Sequence, residues 1–186
     1  MFSRKLKTEN RLLNNRVEEL TNIQATLEAC LLQKTNALEN VATILKEGNT
    51  ITAITKDKDE RDVIVFYSFR HGIIKGLDVK VHYLDYPIRN DSYLVKILTE
   101  VDEEKIYIVD IFSNEISRGH GTFAVNTLKK IAEEIELKKI SGWISPVDFD
   151  HHDRLIYFYK KNGFEVDYNQ QAKSGRVVCN ISYNDD

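Results

Sequence analysis

The sequence predicts a mixed α/β fold: a mostly antiparallel, twisted sheet flanked by helices and preceded by a long N-terminal coiled-coil helix. Three observations carry this. From about Arg4 to Lys46 there is no Gly or Pro, and apolar residues recur at heptad spacing. From Thr50 to Phe112 the chain reads as β-branched and aromatic runs separated by polar breaks. After that the pattern switches to helix, strand, helix and two closing strands, an order that builds a sheet covered by helices.

Composition narrows the function. A length of 186 residues allows one ordinary domain plus an appendage, and the expected division is 1–47 and 48–186. The net charge of −3 gives no overall basic field for nucleic acid. Cys30 and Cys179 lack metal-type spacing, read as packing residues, and fit a reduced cytoplasmic setting. The start, Met1-Phe-Ser-Arg-Lys-Leu-Lys7, is charged but no apolar region follows it, so no secretory signal is expected. No run approaches the ~18 apolar residues of a membrane span.

The first segment carries a stripe. Leu6, Leu13, Leu20, Leu27 and Val41 recur every seven residues with Lys34 interrupting. Val17, Leu31, Leu38 and Leu45 fill the complementary position, with Asn10 and Gln24 interrupting. One helix of this length runs about 60 Å and cannot bury such a stripe alone. An Asn at a seam position favours a two-stranded parallel coil, so a homodimer joined through residues 6–45 is expected. Ile23, Ala37 and Ile44 widen the apolar face of the second half, which points to partial docking on the chain's own domain. The basic start, with Arg4, Lys5, Lys7, Arg11 and Arg16, reads as a solvated coiled-coil face.

Gly48 and Asn49 end the helix. Strands follow over Thr50–Thr55, Val63–Phe69, Leu77–Leu84, Ser92–Val101 and Lys105–Phe112, with a charged turn at Lys56–Arg61. Leu77, Val79, Val81 and Tyr83 alternate onto one face. After the polar break Ser113–Ser117, Arg118-Gly-His-Gly121 leads into an amphipathic helix carrying Ala124, Val125, Leu128, Ile131, Ala132 and Ile135. Lys139–Ser145 is a strand stopped by Pro146, Asp153–Phe164 a short helix ended by Gly163, and Phe164–Tyr168 with Arg176–Tyr183 a closing hairpin. Asp148-Phe-Asp-His-His-Asp153 matches no metal spacing and reads as a polar loop in which Asp150 or Asp153 caps the helix.

The turn at 118–121 has a chemical use. Unpaired N–H groups at a helix start, with the positive dipole end behind them, attract an anion. Gly119 and Gly121 allow close approach and φ > 0, and Arg118 adds a cation. A phosphate or pyrophosphate is the implied ligand. His120 is expected to be exposed on this loop.

Together with the second helix, this stretch resembles the GNAT superfamily of acyl-CoA-dependent N-acyltransferases. Val109 and Ile111 match the apolar pair that ends the family's strand, and Gly119 and Gly121 match its glycines. Ile116 departs from the Gln or Arg of the motif's first position. Phe158, Tyr159, Lys161, Gly163 and Phe164 match the second motif, which departs at His152 and Leu155. The resemblance covers roughly Ile106 to Tyr183. It implies acetyl-CoA as co-substrate, with backbone groups at Val109 and Ile111 pairing with the pantetheine arm. Arg118, Gly119, His120, Gly121 and Thr122 hold the pyrophosphate, and His152 contacts cofactor or substrate. Tyr159 occupies the position that commonly protonates the leaving thiolate.

Asp110 and Glu115 are nearby candidates for a base, although alternation turns Asp110 away from the face of Val109 and Ile111. The helices that the family places after its first strand, which help form the acceptor site, have no counterpart between Gly48 and Lys105. The expected activity is transfer of an acetyl group to an amine whose identity no residue here names. The alternative is a non-catalytic GNAT-like acyl-CoA-binding or adaptor module that dimerises through its first helix.

Overall fold

The computed structural model describes residues 2–89 and 92–181. A long helix α1 (Phe2–Lys46) comes first. Five strands follow: β1 (Thr50–Lys56), β2 (Asp62–Arg70), β3 (Gly76–Tyr83), β4 (Val95–Val101) and β5 (Lys105–Ser113). Then come α2 (His120–Glu134), β6 (Lys139–Ile144), a 3-10 turn (Pro146–His151), α3 (His152–Lys161), β7 (Glu165–Asn169) and β8 (Ser174–Asn180). Residues 182–183, at the end of the expected last strand, lie outside the described residues.

All eight strands form one sheet in the order β1-β2-β3-β4-β5-β6-β8-β7. Only β5 and β6 run parallel, and α2 makes their crossover. Strand alternation sorts side chains into two cores. Val63, Val65, Leu77, Val79, Val81, Ile97, Ile106 and Ile108 face α2, whose Ala124, Val125, Leu128, Ile131 and Ala132 are buried against them. On the opposite face Ile64 and Phe66 pack on Ile44 of α1. Between β2 and β3 there is only the short turn 71–75, with no helix.

Among the described residues α1 docks through its C-terminal end, by Val41 and Ile44 and by two asparagines. Asn40 Nδ2 donates to the carbonyls of Leu84 (2.9 Å) and Tyr86 (2.7 Å), and its Oδ1 accepts from the Ile88 N–H (3.1 Å). Asn36 Nδ2 donates to the Asp85 carbonyl. Gly48, at φ 76°, lets the chain reverse: its N–H reaches the Leu45 carbonyl and that of Asn49 the Ile44 carbonyl. Of the heptad stripe only Val41 joins this contact, while its leucines are open, from Leu6 at 52% exposure to Leu38 at 72%. Cys179 packs in the core as expected, but Cys30 is exposed, on a stretch of α1 that is exposed from residue 6 to residue 35.

Candidate cofactor groove

Two strands create the opening. β5 and β6 pair from Lys105–Lys139 to Ile108–Gly142 and then part, while β5 continues to Ser113. A bulge sits at the parting: Asp110 lies opposite Leu98 and Ile108 opposite Thr99, leaving Val109 as the extra residue. The bulge corrects the expected alternation. Ile111 pairs with core-facing Ile97 and turns inward, whereas Val109 is half exposed. The Ile111 N–H donates to Asp110 Oδ1 at 2.7 Å.

The loop after β5 ends in a left-handed Gly119 (φ 95°), which starts α2 without any side-chain cap. The Gly119 carbonyl accepts from the N–H groups of Thr122 (3.0 Å) and Phe123 (3.2 Å). Among the described residues, the amides of Arg118, Gly119, His120 and Gly121 have no intramolecular partner. A Cβ built on Gly119 would meet nothing within 4 Å, so this edge of the loop is open. Gly121 has a different use: a Cβ there would lie 2.8 Å from Phe158 Cε2, so the glycine seats α3 against the start of α2. Between the two helix starts runs a groove of about 530 Å³, lined by Ile111, Ser117, Gly119, Gly121 and Thr122 on one side. Arg154, Phe158 and Lys161 of α3 form the other side, and Lys58 closes one end.

The side chains of three residues expected at the ligand are engaged within the protein. Arg118 forms an ion pair with Asp59 of the β1–β2 turn. His120 is buried, not exposed: its Nε2 meets Asp57 Oδ2 at 3.2 Å and Tyr83 packs edge-on against its ring. Its Nδ1 is buried without a partner. Asp57 is itself held below the usual carboxylate range. Burial opposes this, but the Arg61 amide and the Arg61 and His120 side chains outweigh it. His152 is also buried, with Nε2 at 3.0 Å from the Ser145 carbonyl and Nδ1 bonded to the Tyr168 hydroxyl. Both ring nitrogens are engaged, so His152 ties β6, α3 and β7 together and has none left for a ligand. No aspartate side chain caps α3; Asp153 lies in its first turn, where its charge favours the helix dipole. Among the described residues no group of His, Cys, Asp or Glu is arranged to hold a metal ion.

Tyr159 is 5% exposed and packs edge-on against Phe158 and Phe164. Burial, reinforced by nearby Asp148, Asp110 and Tyr107, pushes its hydroxyl well above the usual tyrosine range. It therefore keeps its proton at neutral pH while standing within electrostatic reach of the strand parting. Lys58 and Arg154 were not singled out from sequence, and Lys161 was singled out only as a motif match. Arg154, Phe158 and Lys161 do share a helix face at i, i+4 and i+7, a signal that was available. Lys58 gave none, because its turn folds onto a loop far along the chain.

No family model matches this chain. The GNAT domain of Streptomyces lividans PAT superposes with a TM-score of 0.53 at 7% identity, covering 69% of this chain and 96% of that one. The chain has the GNAT fold. The Escherichia coli ribosomal-protein-S18-alanine N-acetyltransferase aligns at a TM-score of 0.45 and 13% identity, over 61% of this chain and 74% of that one. In sequence, the Bacillus subtilis (strain 168) protein YocC is 35% identical over 75 residues, 40% of this chain and 45% of YocC. That match spans less than half of either protein. Among the described residues no helix lies between Gly48 and Lys105, as the sequence indicated. No helix among the described residues is long and apolar enough to cross a membrane.

Proposed function

We propose that the chain is an N-acetyltransferase that moves an acetyl group from acetyl-CoA to an amine. One observation carries this: the groove at the start of α2 runs along β5 beyond its pairing with β6, at Ile111 and Ser113, beside loop amides that have no intramolecular partner. The groove fits the co-substrate. Its glycine edge is open, its loop amides are unpaired, and Lys58, Arg154 and Lys161 supply positive charge for phosphate. Gly119, Gly121 and Thr122 would hold the pyrophosphate, and backbone groups of Val109 and Ile111 the pantetheine arm once Asp110 releases the Ile111 amide.

The bound thioester supplies an activated acyl group. The groove holds it against the amine, which provides much of the rate. As the C–N bond forms and the C–S bond breaks, Tyr159 gives its proton to the departing sulfur and the amine proton leaves to water. A reducing, cytoplasmic setting fits the two unpaired cysteines. Release of free thiol with a panel of amine acceptors tests the activity. Tyr159→Phe should lower turnover and leave acetyl-CoA affinity unchanged.

The second reading is a non-catalytic acyl-CoA-binding adaptor, favoured by the lack of any helix among the described residues between Gly48 and Lys105, where acceptor helices are expected. Calorimetric binding of acetyl-CoA with no thiol release for any acceptor selects it.

Both readings include a homodimer through residues 6–45. The stripe of Leu6, Leu13, Leu20, Leu27 and Leu31 is at least half exposed, and docking at Asn40 and Ile44 leaves Leu38 and Leu45 equally open. Residues 1–47 thus serve association and 48–186 the chemistry. Size exclusion with light scattering decides, and a monomer at micromolar concentration rejects the dimer.

A further inference from the structure

The β1–β2 turn is stitched to the loop that starts α2, and that junction adds a cation to the groove. The turn is wound tightly on itself: Asp57 Oδ1 accepts from the N–H groups of Asp59 (2.8 Å) and Arg61 (3.0 Å). It then crosses to the loop at four points. His120 meets Asp57, Arg118 pairs with Asp59, Arg61 Nη2 donates to Glu115 Oε2 at 3.0 Å, and Lys58 Nζ donates to the Ser117 carbonyl at 2.9 Å.

The charges divide unevenly among these contacts. Lys56 faces Asp62, Arg61 faces Asp57 and Glu115, and Arg118 faces Asp59. Lys58 alone among the cations of turn and loop has no carboxylate partner among the described residues, and it lines the groove. Its carbonyl partner, Ser117, stands two residues before the left-handed Gly119. An ammonium tethered to a carbonyl beside unpaired amides is placed to move onto an anion as it arrives, at little conformational cost.

We propose that Lys58 is a phosphate-binding residue of this groove, doing from the neighbouring turn what Arg118, neutralised by Asp59, does not. The proposal rests on the groove taking a phosphate-bearing thioester. Lys58 then engages the ligand's diphosphate together with the amides of Gly119 to Gly121, and the stitching of turn to loop holds the two in register.

The test is Lys58→Met, which keeps the stem and removes the charge, measured with acetyl-CoA and with S-acetylpantetheine, which has no phosphate. Acetyl-CoA affinity should fall about tenfold, the scale of one charge-assisted hydrogen bond. The decline of affinity with added salt should be shallower than for the unaltered protein, and S-acetylpantetheine binding by NMR titration should not change. Equal losses for both ligands would show that Lys58 only braces Ser117 and overturn the proposal, as would no loss for either. Failure of the unaltered protein to bind acetyl-CoA overturns the reading of the groove as well, whereas binding that ignores Lys58→Met removes this residue alone.

Discussion

Helices α1 and α2 carry apolar stripes of the same kind and have opposite fates. In α2 the stripe is spent inside the domain: Ala124, Val125, Leu128 and Ala132 are fully buried under the sheet. In α1 the stripe from Leu6 to Leu38 is left in solvent, and the residues that dock are Asn36, Asn40, Val41 and Ile44. A stripe records that a helix needs an apolar neighbour, not which neighbour it gets. For α2 the short links to β5 and β6 place the sheet within reach. For α1 the sheet spans only the last turns, and about 50 Å of helix extends past it at 1.5 Å per residue.

One substitution made in both helices tests this contrast most sharply. Leu128→Ala should cost about 2–5 kcal/mol of unfolding free energy, since it opens a cavity in the core. Leu20→Ala should change the unfolding free energy of dilute, monomeric protein by less than about 0.5 kcal/mol, while weakening self-association in sedimentation equilibrium. A core-sized loss from Leu20→Ala in monomer would mean that α1 has a partner within its own chain.

The docked end is the next place to press. Asn40→Ala leaves the Leu84 and Tyr86 carbonyls and the Ile88 amide without their partner, at a cost of about 1–3 kcal/mol by denaturant titration. Proteolysis should then cut earlier near residues 36–49, where α1 is released. Asn40→Asp, which sets a buried carboxylate against the Leu84 and Tyr86 carbonyls, should cost at least as much as Asn40→Ala.

At α2 the comparison can be sharpened at its first turn. Gly121→Ala should cost about 1–2 kcal/mol, because its Cβ meets Phe158, and Phe158→Leu in the same chain should recover most of the loss. Equal losses in the single and double variants would place the strain elsewhere.

The smallest effect is one of pH. Burial lowers His82, 1% exposed, to a pKa of about 4 from its ordinary 6.5. The folded state therefore disfavours the charged ring. Its contribution is complete above about pH 6.5 and is lost progressively as pH falls toward 4. His82→Gln should flatten that part of the stability–pH curve, and NMR should find the ring neutral at pH 5.

Much of the fold was legible because its signals are local. The alternation of Leu77, Val79 and Val81, the 3.6-residue spacing from Ala124 to Ala132, and Gly48 and Gly163 as helix ends all survive in the structure. The groove was legible in outline, since strand, glycine turn and helix occur in that order. The bulge at Val109 was not, because nothing in a β-branched run marks which residue the partner strand will skip. Nor was the choice of cation: Arg118 sits in the motif, and Asp59 takes it.

By itself, then, the chain's order of residues determined the elements, the stripes, and the left-handed glycine at the head of α2. These depend on backbone geometry over a few residues. The tertiary structure alone decided that His120 is buried on Asp57, that Lys58 reaches the loop at Ser117, and that Gly121 gives room to Phe158. Those contacts join residues 63, 59 and 37 positions apart. At such separations a side chain's partner is set by how the sheet and helices pack, which no local spacing encodes.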